Sequence, residues 1–176
     1  SRSDLFHEAI PVEFREKMWA VMKQADRHVF QILTKRPENL AAMLPADWGD
    51  GYPNVWLGVS GETFETAWYR GRELHSVRAG VRFLSAEPWL ETSREWDSHN
   101  WLGLTSLFNW IIVGGESGAG CRPMDERTAR SLILAAALNE IPVFLKQLGG
   151  HPDARSHQKA VLGGRAWTEM PAGVPA

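Results

Sequence analysis

Cysteine is almost missing from this sequence. Cys121 stands alone among 176 residues, which excludes an internal disulfide framework and any metal site built from several thiolates of this chain. An excess of charge of one sign is lacking too. The formal net charge is −2, so no overall basic field points to nucleic acid or an anionic membrane. No apolar run nears the roughly 18 residues that a membrane-spanning helix needs. The opening "SRSDLFHEAI" has no signal-peptide pattern, and a reducing cytoplasm is the expected location. The histidines show no metal-ligand spacing, so no metal is assigned.

What is present suits one globular domain with its own core, because 44% of residues are hydrophobic and 23% charged. Five short apolar runs each end in a polar cluster: "VFQILTKRP" (29–37), "VWLGVSGE" (55–62), "VRFLSAEP" (81–88), "WIIVGGES" (110–117) and "VFLKQLGG" (143–150). Their ends lie 25 to 32 residues apart, too far for hairpins but suited to strand, crossover helix, strand. Near-continuous apolar strands predict a parallel sheet covered on both faces. Helices are expected in 11–25, where Phe14, Met18, Val21 and Met22 share a face and Pro11 suits the first turn. They are also expected in 62–78, with Phe64, Ala67, Trp68 and Leu74 forming a stripe broken by Gly71, and in 125–140 behind Asp125 as N-cap. The fold class is therefore α/β, with about five parallel strands in a domain over 1–150.

Two stretches break the rhythm. Residues 89–109 are too polar and aromatic for a clean helix and read as an excursion over one end of the sheet. Trp89, Trp96, Trp101 and Trp110 crowd in or beside it. The tail 151–176, with Pro152, Pro171 and Pro175, reads as loop and a frayed end.

In parallel α/β folds the loops after the strand ends gather at one edge. That edge would collect Lys35 and Arg36; Ser60; Ser85 and Glu87; Gly114, Gly115, Glu116 and Ser117; and Lys146 and Gln147. These are the candidate ligand-binding residues. Lys35 and Arg36 are suited to clamp a phosphate or carboxylate, and Gly114-Gly115 to admit close approach of a ligand edge. Lys146 follows Val143, Phe144 and Leu145, so it is expected to be buried and paired, with Glu87 and Glu116 the candidate partners. No catalytic residue is assigned.

In order, "SDLFHE", "FQILTKRPE", "NVWLGVS", "RFLSAEP", "WIIVGGESG", "RPM" and "FLKQLG" resemble a phage and prophage protein family of uncharacterised activity, related to radical S-adenosylmethionine (SAM) enzymes. The resemblance runs from about Ser3 to Gly149. It implies the larger, C-terminal part of a radical SAM-type (β/α) barrel, cytoplasmic in the host cell if phage-encoded. Members of that family begin with a segment bearing three closely spaced cysteines, which this chain lacks. By resemblance, SAM and a [4Fe–4S] cluster enter only with an upstream segment, and this chain alone has no cofactor and no iron–sulfur site. A sheet of this kind has an open edge, for which an upstream segment, a second copy or a host protein is the expected cover. Three readings follow: part of a radical SAM-like enzyme, a non-catalytic phage protein binding a host protein through a tryptophan-rich surface, and an enzyme for phosphate-bearing ligands.

Overall fold

All five apolar runs form strands, and the segments between them contain helices. The computed structural model describes residues 4–92, 98–150 and 160–172. In chain order these hold α1 (Val12–Gln24), β1 (Phe30–Thr34), a 3-10 turn (Pro37–Asn39) running into α2 (Leu40–Met43), β2 (Val55–Ser60), α3 (Phe64–His75) and β3 (Arg82–Ala86). They continue with α4 (Ser98–Thr105), β4 (Trp110–Gly114), α5 (Glu126–Leu138), β5 (Val143–Gln147), β6 (Val161–Leu162) and β7 (Arg165–Ala166). The first five strands form one sheet in chain order, β1-β2-β3-β4-β5, and every neighbouring pair is parallel. Parallel strands added in chain order by crossovers of one hand collect their helices on one face. The result is an α/β sheet of partial-barrel type. A doubly wound sheet would reverse its order partway.

Strand alternation sorts the side chains. Val55, Leu57, Val59, Leu84, Ala86, Ile111, Val113, Val143 and Leu145 join the large core that the helices supply. Trp56, Phe83 and Trp110 form a separate cluster, flanked by Leu33, Ile112 and Phe144. The expectation of a sheet covered on both faces is corrected here: the buried apolar side chains of the helices, among the described residues, all belong to the first core. The second face is filled by its own aromatics instead, as the inside of a small barrel is. Trp110 lies 5.7 Å from both Trp56 and Phe83, centroid to centroid, and 6.4 Å from Phe144, within the range of favourable tilted and edge contacts. Gly58 makes this layer possible. A Cβ there would sit 2.2 Å from the Phe83 ring.

The helices correct three further expectations. α1 buries Arg15, Trp19 and Met22, while Phe14 and Val21 are about half exposed. Arg15 faces inward because its guanidinium donates to the carbonyls of Leu5 (3.2 Å) and Ile10 (3.1 Å). In α3, Gly71 does not break the buried stripe but belongs to it, since a Cβ would meet the Phe108 ring at 2.6 Å. Asp125 does cap α5, accepting from Arg127 N at 3.2 Å. The excursion contains a short helix after all, α4, whose Trp101 and Leu104 pack in the helix-side core with Trp89.

The tail is not frayed over its described part. Gly163 and Gly164, at φ 65° and 75°, turn the β6–β7 hairpin, a job that needs two positive φ values. The chain then runs antiparallel along the outer edge of β5, with Leu145 N donating to Trp167 O (2.8 Å) and Glu169 N to Val143 O (3.0 Å). Glu169 also receives the Trp110 indole N–H on its carbonyl at 2.9 Å. One sheet edge is thereby covered. At the other, among the described residues, no backbone group pairs with the outer side of β1 at Gln31 and Leu33.

The tight fit under Phe83 sets a measurable cost. Gly58→Ala is expected to destabilise the chain by about 1–3 kcal/mol through overpacking, and by much less in a Phe83→Leu background. Urea denaturation of the two single variants and the double variant measures the coupling. Additive losses would show that position 58 and the ring are energetically independent.

Candidate functional site

The alternation that places Trp56, Phe83 and Phe144 inside also places Ser60, Ser85, Glu87 and Lys146 on the same concave face, nearer the strand ends. Together with Lys35, Gly115, Glu116 and Ser117 they line a cavity of about 650 Å³, completed by Leu33, Pro88 and the 119–121 turn. Eight of the eleven candidate residues therefore share one mouth. Arg36, Gly114 and Gln147 do not line it. Arg36 is held outside by Asp4 (3.3 Å) and Glu8 (3.5 Å).

Each acid in or beside the mouth is already paired. Glu62 accepts from Lys35 and, at 2.8 Å, from Arg70 on α3. Burial pushes its carboxyl up, but the bonds from Lys35 and Arg70 outweigh burial and hold it below the usual carboxylate range. Glu87 accepts from Lys146 Nζ and Gln147 Nε2, both at 2.8 Å on Oε1. Gln147 also reaches Gly115 O at 2.9 Å, so it braces the acid from behind. Glu116 is gripped by Arg122, through Nε at 3.1 Å to both carboxylate oxygens, through Nη2 and through the backbone N–H at 2.9 Å. Those side-chain bonds, then the backbone bond, hold its carboxyl down at about 2.

Between these pairs lie two uncommitted hydroxyls. Ser60 and Ser85 are register partners on β2 and β3, both buried and both on the cavity wall. Neither hydroxyl hydrogen-bonds to any described residue. Their oxygens are not sealed from the cavity, so water or a ligand entering the mouth can bond them.

Several expectations change. Lys146 pairs with Glu87, but its side chain is 54% exposed rather than buried. The strand is apolar on its helix side, whereas Lys146 falls on the concave side at an open rim. Its pair with Glu87 is worth only about 0–1 kcal/mol. The two glycines meet protein: a Cβ at Gly114 would touch the Glu87 side chain at 3.0 Å, and one at Gly115 would meet Leu148 O at 2.6 Å. They admit a neighbouring acid and the exit of β5. Trp89, Trp101 and Trp110 are buried, so they are not available as surface anchors. Trp96 lies outside the described residues.

Sequence reading missed Asp4, which ties down the end of β1 by accepting from Thr34 Oγ1 (2.8 Å) and Lys35 N (3.0 Å). An acid ahead of a helix and a Thr-Lys-Arg strand end was the available signal. Arg70 and Arg122 were missed as partners of Glu62 and Glu116. Arg122 returns to Glu116 through a turn in which Gly118 and Gly120 have positive φ, and that glycine spacing was visible. Among the described residues, no group of three His, Cys, Asp or Glu side chains could hold a metal ion.

A family model described as "Protein of unknown function (DUF5131)" matches residues 1–171. No curated protein matches the chain, and no solved structure does.

Because the pKa of Glu116 is depressed in the fold, its stabilising contribution is present above the unfolded carboxylate range, about 4.3. It is lost as pH falls from there toward about 2. Arg122→Gln is expected to move the Glu116 titration back to about 4. Carboxyl ¹³C NMR would follow it, and a native Glu116 titrating near 4 would contradict the bidentate grip.

Proposed function

The chain belongs to the DUF5131 family, and from that premise and the geometry of the mouth we propose that it is the larger part of a radical SAM-type barrel that binds a small zwitterion at its strand ends. The supporting observation is the pair of unbonded hydroxyls, Ser60 and Ser85, set among acids that each hold a cation. Such a site offers both signs of charge and no surplus of positive charge. A ligand with an ammonium and a carboxylate can exchange with Glu87 and Lys146 pair for pair, whereas a polyphosphate would need more free cations. SAM, an amino acid with a sulfonium and a nucleoside, is a ligand of that kind. Leu33 and Pro88 supply apolar wall. A phage origin and a cytoplasmic location belong to the same proposal.

The iron–sulfur cluster does not fit the residues of this chain. A SAM-binding cluster needs three thiolates, and the chain has Cys121 only. The cluster would have to be held by an upstream segment.

Calorimetry with SAM, S-adenosylhomocysteine and ATP tests the reading. SAM and S-adenosylhomocysteine are expected to bind, and ATP to bind more weakly. Lys146→Met should weaken SAM binding roughly ten- to hundredfold, the loss expected for a charge-assisted hydrogen bond, with little change in thermal stability. ATP binding more tightly than SAM would favour a phosphate site instead.

Anaerobic reconstitution of the isolated chain with iron and sulfide is expected to give no stable cluster absorbance. Stoichiometric incorporation would reveal ligands beyond the single thiolate.

A further inference from the structure

A second cavity, of about 490 Å³, opens between α1 and the end of α2 with the 44–47 segment that follows it, and shares no lining residue with the mouth. Arg15 is on its wall and is only 7% exposed. Its Nε and Nη2 are spent on the Leu5 and Ile10 carbonyls, but no carboxylate among the described residues pairs with it. A buried guanidinium carries five N–H donors and a full charge, and neutral carbonyls leave that charge uncompensated. Buried charges are ordinarily paired.

The other charges of the groove do not supply the missing anion. Lys23 and the Tyr52 hydroxyl both bond Asp47, which closes that group on itself. Glu16 stands exposed beside Arg15 on the same wall, where it repels a second negative charge. The remaining wall is apolar. Trp19 spends its indole N–H on Met43 O at 3.3 Å, so it has no further donor to offer, and Leu44 and Pro45 continue the surface.

We infer that this groove binds a small monocarboxylate with an apolar body, its carboxylate on the free face of Arg15 and its body along Trp19, Leu44 and Pro45. One negative charge matches one unpaired guanidinium. The acidic neighbours disfavour a dianion, and the volume suits a ligand of about ten to fifteen heavy atoms.

NMR titration of the whole chain with 3-phenylpropionate, following the Arg15 Nε–H and Trp19 indole N–H signals, tests this. Saturable shifts of both are expected, with Kd of about a millimolar. The neutral 3-phenylpropionamide and the dianionic phenyl phosphate should bind at least several-fold more weakly. Arg15→Met should abolish the response. Because Arg15 also ties Leu5 and Ile10 to α1, Ala20→Phe provides a second test, filling the groove from an exposed helical position without touching the guanidinium. It should keep the melting temperature and lose the acid. No saturable shift, equal binding of acid and amide, or binding that survives Ala20→Phe would overturn the assignment.

Discussion

A parallel sheet has two faces to bury, and among the described residues helices reach only one of them. The strand order leaves no alternative, because crossovers of one hand between successive neighbours put every helix on the same side. The second face must be filled by side chains long enough to meet one another across the curvature. Trp56, Phe83, Trp110 and Phe144 do this on four adjacent strands. Gly58 yields the space that the ring of Phe83 occupies. Without that aromatic layer the concave face would be a wet trough, and the polar positions two to four residues further along the strands would have nothing to stand on.

The mouth is built from the same alternation. Lys35, Ser60, Ser85, Glu87 and Lys146 are polar because they lie beyond the aromatic layer and still on its side of the sheet. Its charges come from separate corners of the chain and neutralise one another across them, Lys35 with Glu62 and Lys146 with Glu87. Half-exposed pairs of this kind contribute little to stability, so they can be exchanged for a ligand's charges at small cost. Glu116 differs. Its bidentate partner Arg122 follows only six residues later, and that grip makes it part of the wall rather than a free acceptor.

The strands were legible because apolar runs at crossover spacing have few other interpretations, and their common edge followed from the fold class. Depth was harder to read. Val143, Phe144 and Leu145 made Lys146 look buried, but neighbours in a strand face opposite ways, and only the second face tells whether a rim is open. In α1 the expected stripe of Phe14, Met18, Val21 and Met22 gave way to one that carries Trp19 and Met22, with Arg15 turned inward and donating to two carbonyls. Such a partnership is made by segment 4–10, and helical periodicity does not register it. The glycines misled in both directions. Gly114 and Gly115 suggested a ligand and met protein, while Gly163-Gly164, between "VL" and "RAW", was a hairpin turn in plain view, obscured by the prolines around it.

The contact of segment 167–169 with β5 and Trp110 bears on how the molecule comes into being. Each strand from β2 to β5 pairs with its immediate predecessor, so on a ribosome the sheet can grow strand by strand as the chain emerges. β5 then waits with an open outer edge while the next twenty or so residues are made, as does the indole of Trp110, still without its acceptor. An edge of this kind invites pairing with other chains. Only when Trp167 and Glu169 arrive are the β5 edge and the aromatic layer finished together. The interval between making β5 and making Glu169 is thus the stage at which a nascent copy of this protein is most open to joining its neighbours.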